Sequence, residues 1–252
     1  MLRNFLIVGT QRTGSTALVR SLTFHPDIAC GDEWTQRVPA HRKFTVTEAT
    51  LAGYFSSLTA AQRRRIEPVF GPDTRWLGFK LLFRSSDKWL IHPRFAPALW
   101  LDRFGSYLRW IARRPTLHVI HIVRNDPVDW LKSKYLADTS RAYAAKEYPE
   151  DLTIEIPVGG ALRRLATKRW IDDQLALLSR SNPYLCVSYV DFLESDRAVV
   201  ERLMAFLDCD PARLRDFDYR KHRKQSKRDA SEYITNYEEL STRLQSEGLL
   251  QY

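Results

Sequence analysis

Phe5-Leu6-Ile7-Val8-Gly9-Thr10-Gln11-Arg12-Thr13-Gly14-Ser15-Thr16 is an apolar run that stops at glycine and passes into a polar, glycine-containing loop. It reads as strand, anion-binding loop and helix. Four residues separate Gly9 from Gly14, the glycine spacing of a phosphate loop, whose successive backbone N–H groups point inward at an anion as the next helix begins. A nucleotide-type loop carries Gly-Lys-Ser/Thr, whereas here Gly14 is followed directly by Ser15 and Thr16 and the loop's cation is Arg12. The loop is therefore built for an anion, but not for an ordinary Mg-nucleotide. A ligand of phosphate-like geometry whose transferred group carries less charge needs fewer metal ions and fewer lysines. A sulfuryl donor meets that description.

With 252 residues, 44% of them hydrophobic and 12% aromatic, the chain has enough apolar material for a sizeable core, and a single domain over residues 1–252 is expected. A formal net charge of +9 and a pI near 9.6 point to anionic partners, without choosing among nucleotide, nucleic acid, acidic glycan and membrane surface. Cys30, Cys186 and Cys209 are odd in number and lack metal-ligand spacing, which reads as reduced, mostly buried thiols. The short N-terminal apolar run lacks the form of a signal peptide and no run is long enough to cross a bilayer, so the chain reads as soluble and cytoplasmic.

Ser15 to Phe24 places Leu18 and Leu22 on one helical face and is stopped by His25-Pro26. Asp27 to Lys43, carrying Cys30-Gly31-Asp32-Glu33-Trp34, has little periodicity and reads as a loop near the mouth of the site. Thr47 and Thr59 look like N-caps of two polar helices reaching about Phe70. Leu77 to Phe83 reads as a buried strand with one lysine in it. A lone buried lysine costs free energy unless an anion answers it, which makes Lys80 a candidate site residue. Pro97 to Arg113 repeats Trp100, Phe104, Leu108 and Ile111 at helical spacing. Leu117 to Val123 is a further strand running into Arg124-Asn125-Asp126-Pro127, where Asp126 caps a helix with Pro127 at its first position and Val128, Leu131 and Tyr135 facing inward.

Asp138 to Gly160 reads as a long connection that could serve as a substrate lid, together with the segment from Asp32 to Thr47. A helix is expected from about Ala161 to Ser179, then a strand from Tyr184 to Tyr189. Ser195 looks like the cap of a helix carrying Val199, Leu203 and Phe206, and a final amphipathic helix starts near Ala230. The alternation implies an α/β fold, P-loop-like and three-layered, with a mostly parallel central sheet flanked by helices. Arg124, ending a strand, and Ser133 on the next helix then sit in the crevice beyond the strands' carboxyl ends, where such sheets bind ligands. Asp126 and Asp129 are competing partners for Arg124. His118 and His121 lie three apart on a strand and face opposite sides, a poor metal pair.

These residues carry a resemblance to sulfotransferases that use 3′-phosphoadenosine 5′-phosphosulfate (PAPS). Gly9-Thr10-Gln11-Arg12-Thr13-Gly14-Ser15-Thr16 resembles their 5′-phosphosulfate loop, and Val123-Arg124-Asn125-Asp126-Pro127 leading to Ser133 resembles their 3′-phosphate motif. The arginine-to-serine spacing is one residue longer than in the cytosolic aryl and steroid enzymes and closer to bacterial carbohydrate sulfotransferases of the trehalose or Nod-factor type. Leu77-Gly78-Phe79-Lys80, the stretch from Val187 to Phe192 and the stretch from Ser231 to Tyr237 are also similar to that group.

The resemblance implies in-line sulfuryl transfer from PAPS to an acceptor hydroxyl, leaving 3′-phosphoadenosine 5′-phosphate (PAP), with no metal required. Gln11, Arg12, Thr13, Gly14, Ser15 and Thr16 would hold the 5′-phosphosulfate, Arg124 and Ser133 the 3′-phosphate. Arg223 and Lys224, in the basic stretch from Tyr219 to Arg228, are further donor-binding candidates, with a solvated basic loop as the alternative. Lys80 would add charge at the substrate side. The resembled group's catalytic glutamate maps onto Glu33, with Asp32 and His25 as competing bases. A carbohydrate or glycolipid acceptor is favoured by resemblance, and no nucleic-acid partner is expected. A P-loop kinase would want Gly-Lys-Ser/Thr and an acidic residue for magnesium where the chain has Arg124. A basic nucleic-acid-binding module would explain the charge, but none of the usual recognition motifs is present.

Overall fold

The computed structural model describes residues 2–31, 73–83, 98–140, 148–149, 151–194, 196–214 and 228–250. Strands β1 (Arg3–Thr10), β2 (Ile28–Gly31), β3 (Trp76–Phe83), β4 (His118–Val123) and β5 (Tyr184–Ser188) form one sheet in the order β2-β3-β1-β4-β5. Every neighbouring pair is parallel. The central strands show why: Phe5 to Val8 and Trp76 to Phe79 are apolar without alternation, the pattern of strands covered on both faces. Phe5, Ile7 and Ile120 pack on helices α1 (Ser15–Leu22) and α6 (Asp196–Phe206) through Leu18, Leu22, Val199 and Leu203. Leu6, Val8 and Val119 face α2 (Ala98–Ala112) and α4 (Val158–Ala176) through Phe104, Ile111, Ile171 and Leu175. The result is the three-layer α/β fold expected from the alternation. Gly78 interrupts β3 because the Phe5 ring lies over it: a Cβ there would come within 2.1 Å of Phe5 Cζ.

Helix α3 (Pro127–Ser140) starts as its sequence predicts, with Asp126 Oδ1 accepting from the backbone N–H of Asp129 at 2.8 Å. It is buried on most sides, from Val128 and Trp130 to Leu136 and Ala137, and Val128, Trp130, Leu131 and Leu136 belong to a third apolar cluster. That cluster is closed by Ile154, Ile156, Tyr233, Leu240 and Leu244.

Three elements differ from the sequence reading. Ile28–Gly31, expected in a loop, is the edge strand β2, pairing Ile28 with Trp76 and Gly31 with Phe79. Four residues are too few to display a period, so only β3 alongside reveals the strand. A short helix, α5 (Tyr189–Glu194), follows β5 directly. The single C-terminal helix is divided into α7 (Ala230–Tyr233) and α8 (Tyr237–Ser246). The break arises because Ile234 bridges Ile154, and the Asn236 amide both accepts from Ile156 N and donates to Ile156 O, each at 3.0 Å. That backbone capture outweighs continued helix. The connection expected from Asp138 to Gly160 is also shorter, since α3 runs to Ser140 and α4 starts at Val158. The expected helices after Thr47 and Thr59 and the cap at Ser195 lie outside the described residues. No helix among the described residues is long and apolar enough to cross a membrane.

Candidate functional site

The connection leaving β1 runs toward the β2 edge, whereas the one leaving the adjacent β4 runs to β5 on the other side, so a crevice opens between the carboxyl ends of β1 and β4. The loop from Gln11 to Gly14 fills it. Arg12 and Gly14 both take left-handed backbone conformations, with φ of 68° and 82°, and these two turns fold the loop back into α1. Thr13, fully buried, donates its hydroxyl to the carbonyl of Thr10 at 2.8 Å. The next two carbonyls are drawn behind the loop: Gln11 O accepts from Trp130 Nε1 at 2.9 Å, and Arg12 O accepts from Arg124 Nη1 at 2.8 Å. Peptide planarity then turns the N–H groups of Arg12 and Thr13 the other way, toward the concave side and the free first turn of α1. Main-chain N–H groups gathered in this way can cradle an anion.

Side chains add charge to it. Lys80 lies in mid-strand beside Ile7 and is 5% exposed, yet its Nζ reaches forward to donate to Thr16 Oγ1 at 2.8 Å. The lysine missing from the loop is thus met by one from the neighbouring strand. Arg12 Nε donates to Ser133 Oγ at 3.1 Å, and its Nη2 donates to the hydroxyl of Tyr148 at 3.3 Å. Burial lowers the pKa of Arg12, a trend that Tyr148 opposes and Arg124 reinforces. Burial raises that of the Tyr148 phenol, against the pull of the two arginines. Both arginines therefore lie in one electrostatic neighbourhood.

Arg124 is 3% exposed. Its Nε and Nη2 both donate to Asp129 Oδ2, the first at 3.0 Å. Its guanidinium stacks on the Tyr189 ring, 4.5 Å from the centroid. The same ring lies against Gly14, where a Cβ would stand 2.4 Å from Tyr189 Cδ2. Tyr189 is thereby wedged between the loop and the strand-end arginine. Lys132 Nζ sits 3.1 Å from Asp129 Oδ1 and donates to the carbonyl of Arg228, where the basic C-terminal stretch ends.

The structure thus brings Gln11, Arg12, Thr13, Gly14, Ser15, Thr16, Lys80, Arg124 and Ser133 together toward the carboxyl end of the sheet. His25 is at the opposite, amino end of the sheet, before β2: its Nε2 donates to the carbonyl of Asp210 at 2.8 Å and its Nδ1 accepts from Asp27 N. With both ring nitrogens engaged far from the loop, it is no base for this site. His25, Asp27 and Cys209 bring ligand atoms within 4.8 Å of one another, but Arg75 and Arg213 both pair with Asp27, so the group is a knot of satisfied bonds. Asp32, Glu33, Arg223 and Lys224 lie outside the described residues. Sequence reasoning assigned no role to Tyr148, Tyr189, Trp130 or Lys132. The stretch around Tyr189 stood out, but what its ring touches is set by tertiary packing.

An α/β protein with a lysine-poor anion loop facing a strand-end arginine is the class that fold and site define. A model of the sulfotransferase family matches residues 4–212, and the chain belongs to that family. Among solved structures it is similar to a sulfotransferase from Alicyclobacillus acidocaldarius, with 15% identity, a TM-score of 0.47 and coverage of 100% of this chain and 97% of the other. The sulfotransferase domain of the Synechococcus PCC 7002 olefin synthase gives 16%, 0.45 and coverage of 92% and 86%. A Mycobacterium avium sulfotransferase gives 14%, 0.43 and coverage of 98% and 76%. Comparison with curated proteins finds no match. Membership rests on the family match.

Proposed function

We propose that this sulfotransferase uses PAPS as donor and sulfates a hydroxyl of a carbohydrate or glycolipid. The observation that carries the donor reading is the direct joining of the two anion-binding motifs: Arg124 donates to the loop at Arg12 O, and Arg12 donates back to Ser133. One ligand with anions at both ends of a nucleoside fits such a pair better than two separate ligands. The carbohydrate class of acceptor rests on the arginine-to-serine spacing and on the resemblance it carries.

PAPS brings the sulfuryl group already attached to a phosphate leaving group. The loop amides and α1 would hold that phosphosulfate, and Lys80, through its place at Thr16, would meet the charge that develops on the leaving oxygen. The acceptor oxygen bonds to sulfur as the sulfur–phosphate oxygen bond breaks, and the hydroxyl proton passes to a carboxylate. Glu33 is proposed for that carboxylate. Its anchor supports the choice: Gly31 pairs with Phe79, next to Lys80, and two residues of chain reach at most about 7 Å. Cys30, Cys186 and Cys209 are thiols rather than disulfide halves, which fits a reducing, cytoplasmic setting.

Calorimetric titration of the full chain in chelator, with PAP in parallel with ATP plus magnesium, tests the donor. Micromolar PAP binding with much weaker ATP binding is expected. Preference for Mg-ATP, or no PAP binding, overturns the reading and favours phosphoryl transfer. Transfer of label from PAPS to a panel of glycans, glycolipids and phenols then tests the acceptor class.

Lys80→Met separates role from fold. Methionine keeps the length and packing of the lysine stem and removes the cost of burying an ammonium, so the fold should persist, with any change in melting temperature measured alongside. Loss of one transition-state donor should lower kcat about 100-fold. An unchanged kcat would assign Lys80 to structure alone.

A further inference from the structure

Arg124 offers five N–H donors in a rigid fork, and three of them are committed within the protein: two to Asp129 Oδ2 and one to the carbonyl of Arg12. The Tyr189 ring covers one face of the guanidinium. The group is therefore fixed along one edge, at one end and on one face, with two N–H donors left over among the described residues. Asp129 is itself fixed. It stands in the first turn of α3, its backbone N–H bonded to the Asp126 side chain, with Lys132 Nζ 3.1 Å from its second oxygen. A carboxylate so placed is favoured by the helix dipole as well as by its two cations.

We infer that Asp129 is a positioning residue for donor recognition: it sets the angle of the Arg124 fork so that the two remaining N–H groups meet the donor's 3′-phosphate. Through it, the protein discriminates a 3′-phosphorylated nucleotide from the same nucleotide lacking that group. The inference rests on the PAPS reading above. Two effects of Asp129 oppose one another. Its charge repels an incoming phosphate, and its hydrogen bonds hold the arginine ready for one. Arg124 and Lys132 both lie against that carboxylate, so its charge is largely compensated locally and the positioning effect dominates.

The test compares PAP with adenosine 5′-phosphate, which lacks the 3′-phosphate, on wild-type protein and on Asp129→Ala, with thermal melting run alongside. Wild type should prefer PAP strongly. If it does not, the donor reading itself fails and Asp129 is not at issue. In Asp129→Ala, PAP affinity should fall about 30-fold, the size expected for losing the bonds that hold a charged group, while adenosine 5′-phosphate affinity changes by less than about 3-fold. PAP affinity that is unchanged or improved overturns the inference, because repulsion would then outweigh positioning. Equal loss of both ligands also overturns it, because the residue would then support the loop as a whole. Folded Asp129→Asn offers a second reading. Its amide oxygen can take the place of Oδ2, so it should recover part of the PAP preference without the charge.

Discussion

Gly14→Ala should abolish donor binding and lower stability together. The backbone at Gly14 has φ of 82°, where a Cβ costs roughly 1–2 kcal/mol. The larger obstacle is Tyr189, whose Cδ2 and Cε2 would lie 2.4 and 2.5 Å from the new methyl. That ring cannot swing aside freely, because it is 8% exposed and carries the Arg124 guanidinium on its face. Relieving such an overlap typically costs about 1–3 kcal/mol. The loop must therefore open, or Tyr189 must move and release Arg124. Either response spoils the cradle: opening the loop misdirects the amides of Arg12 and Thr13, and moving the ring frees the strand-end arginine. PAP affinity should drop by more than about 100-fold, corresponding to nearly 3 kcal/mol, and the melting temperature should fall by several degrees. Both are read by calorimetry on the full chain. A double variant, Gly14→Ala with Tyr189→Ala, removes the overlap and should recover part of the stability but not the binding, since the left-handed strain and the missing wedge remain. Wild-type binding in Gly14→Ala would show that the loop accommodates a side chain and that the Tyr189 contact is incidental.

The loop was legible in the sequence because its information is local. Gly9 to Thr16 specify strand, turn and helix within one stretch, and Asp126-Pro127 announce α3 in the same way. Lys80 was legible for a different reason: a lysine in a continuous apolar strand is a cost that something must offset. Asp129 was visible as a possible partner of Arg124, but whether it competes with a ligand or prepares for one depends on where Arg12 O and Tyr189 lie. Together with Arg124, those positions come from three separate strand ends, of β1, β4 and β5. Tyr148 and Trp130 are ordinary aromatic residues until the fold sets their polar atoms against Arg12 and Gln11. The edge strand at Ile28–Gly31 and the break at Ile234 were hidden for a common reason, since each owes its backbone bonds to a partner far away in the chain.

Arg124→Ala should remove the preference for PAP over adenosine 5′-phosphate altogether, a loss of about 1000-fold or more in PAP affinity if a bidentate charged contact is worth some 4 kcal/mol in a buried setting. It also takes one cation from Asp129, beside which Lys132 stays, and deprives the Arg12 carbonyl of its Arg124 donor. Truncating one side of a buried pair costs about 3–5 kcal/mol when the survivor is left alone. Lys132 reduces that here, so a stability loss near the lower end is expected from thermal melting. Arg124→Lys is the sharper variant. It keeps the charge in place, so most of the stability should remain, but an ammonium sends three N–H groups from one atom and cannot span Asp129, Arg12 O and a phosphate as a planar fork does. If geometry determines recognition, the lysine variant should still lose about 30-fold or more in PAP affinity while binding adenosine 5′-phosphate as wild type does. If the lysine variant binds PAP within a few-fold of wild type, charge alone suffices at this position. The fixed orientation of the guanidinium would then serve the loop through Arg12 O and not the ligand.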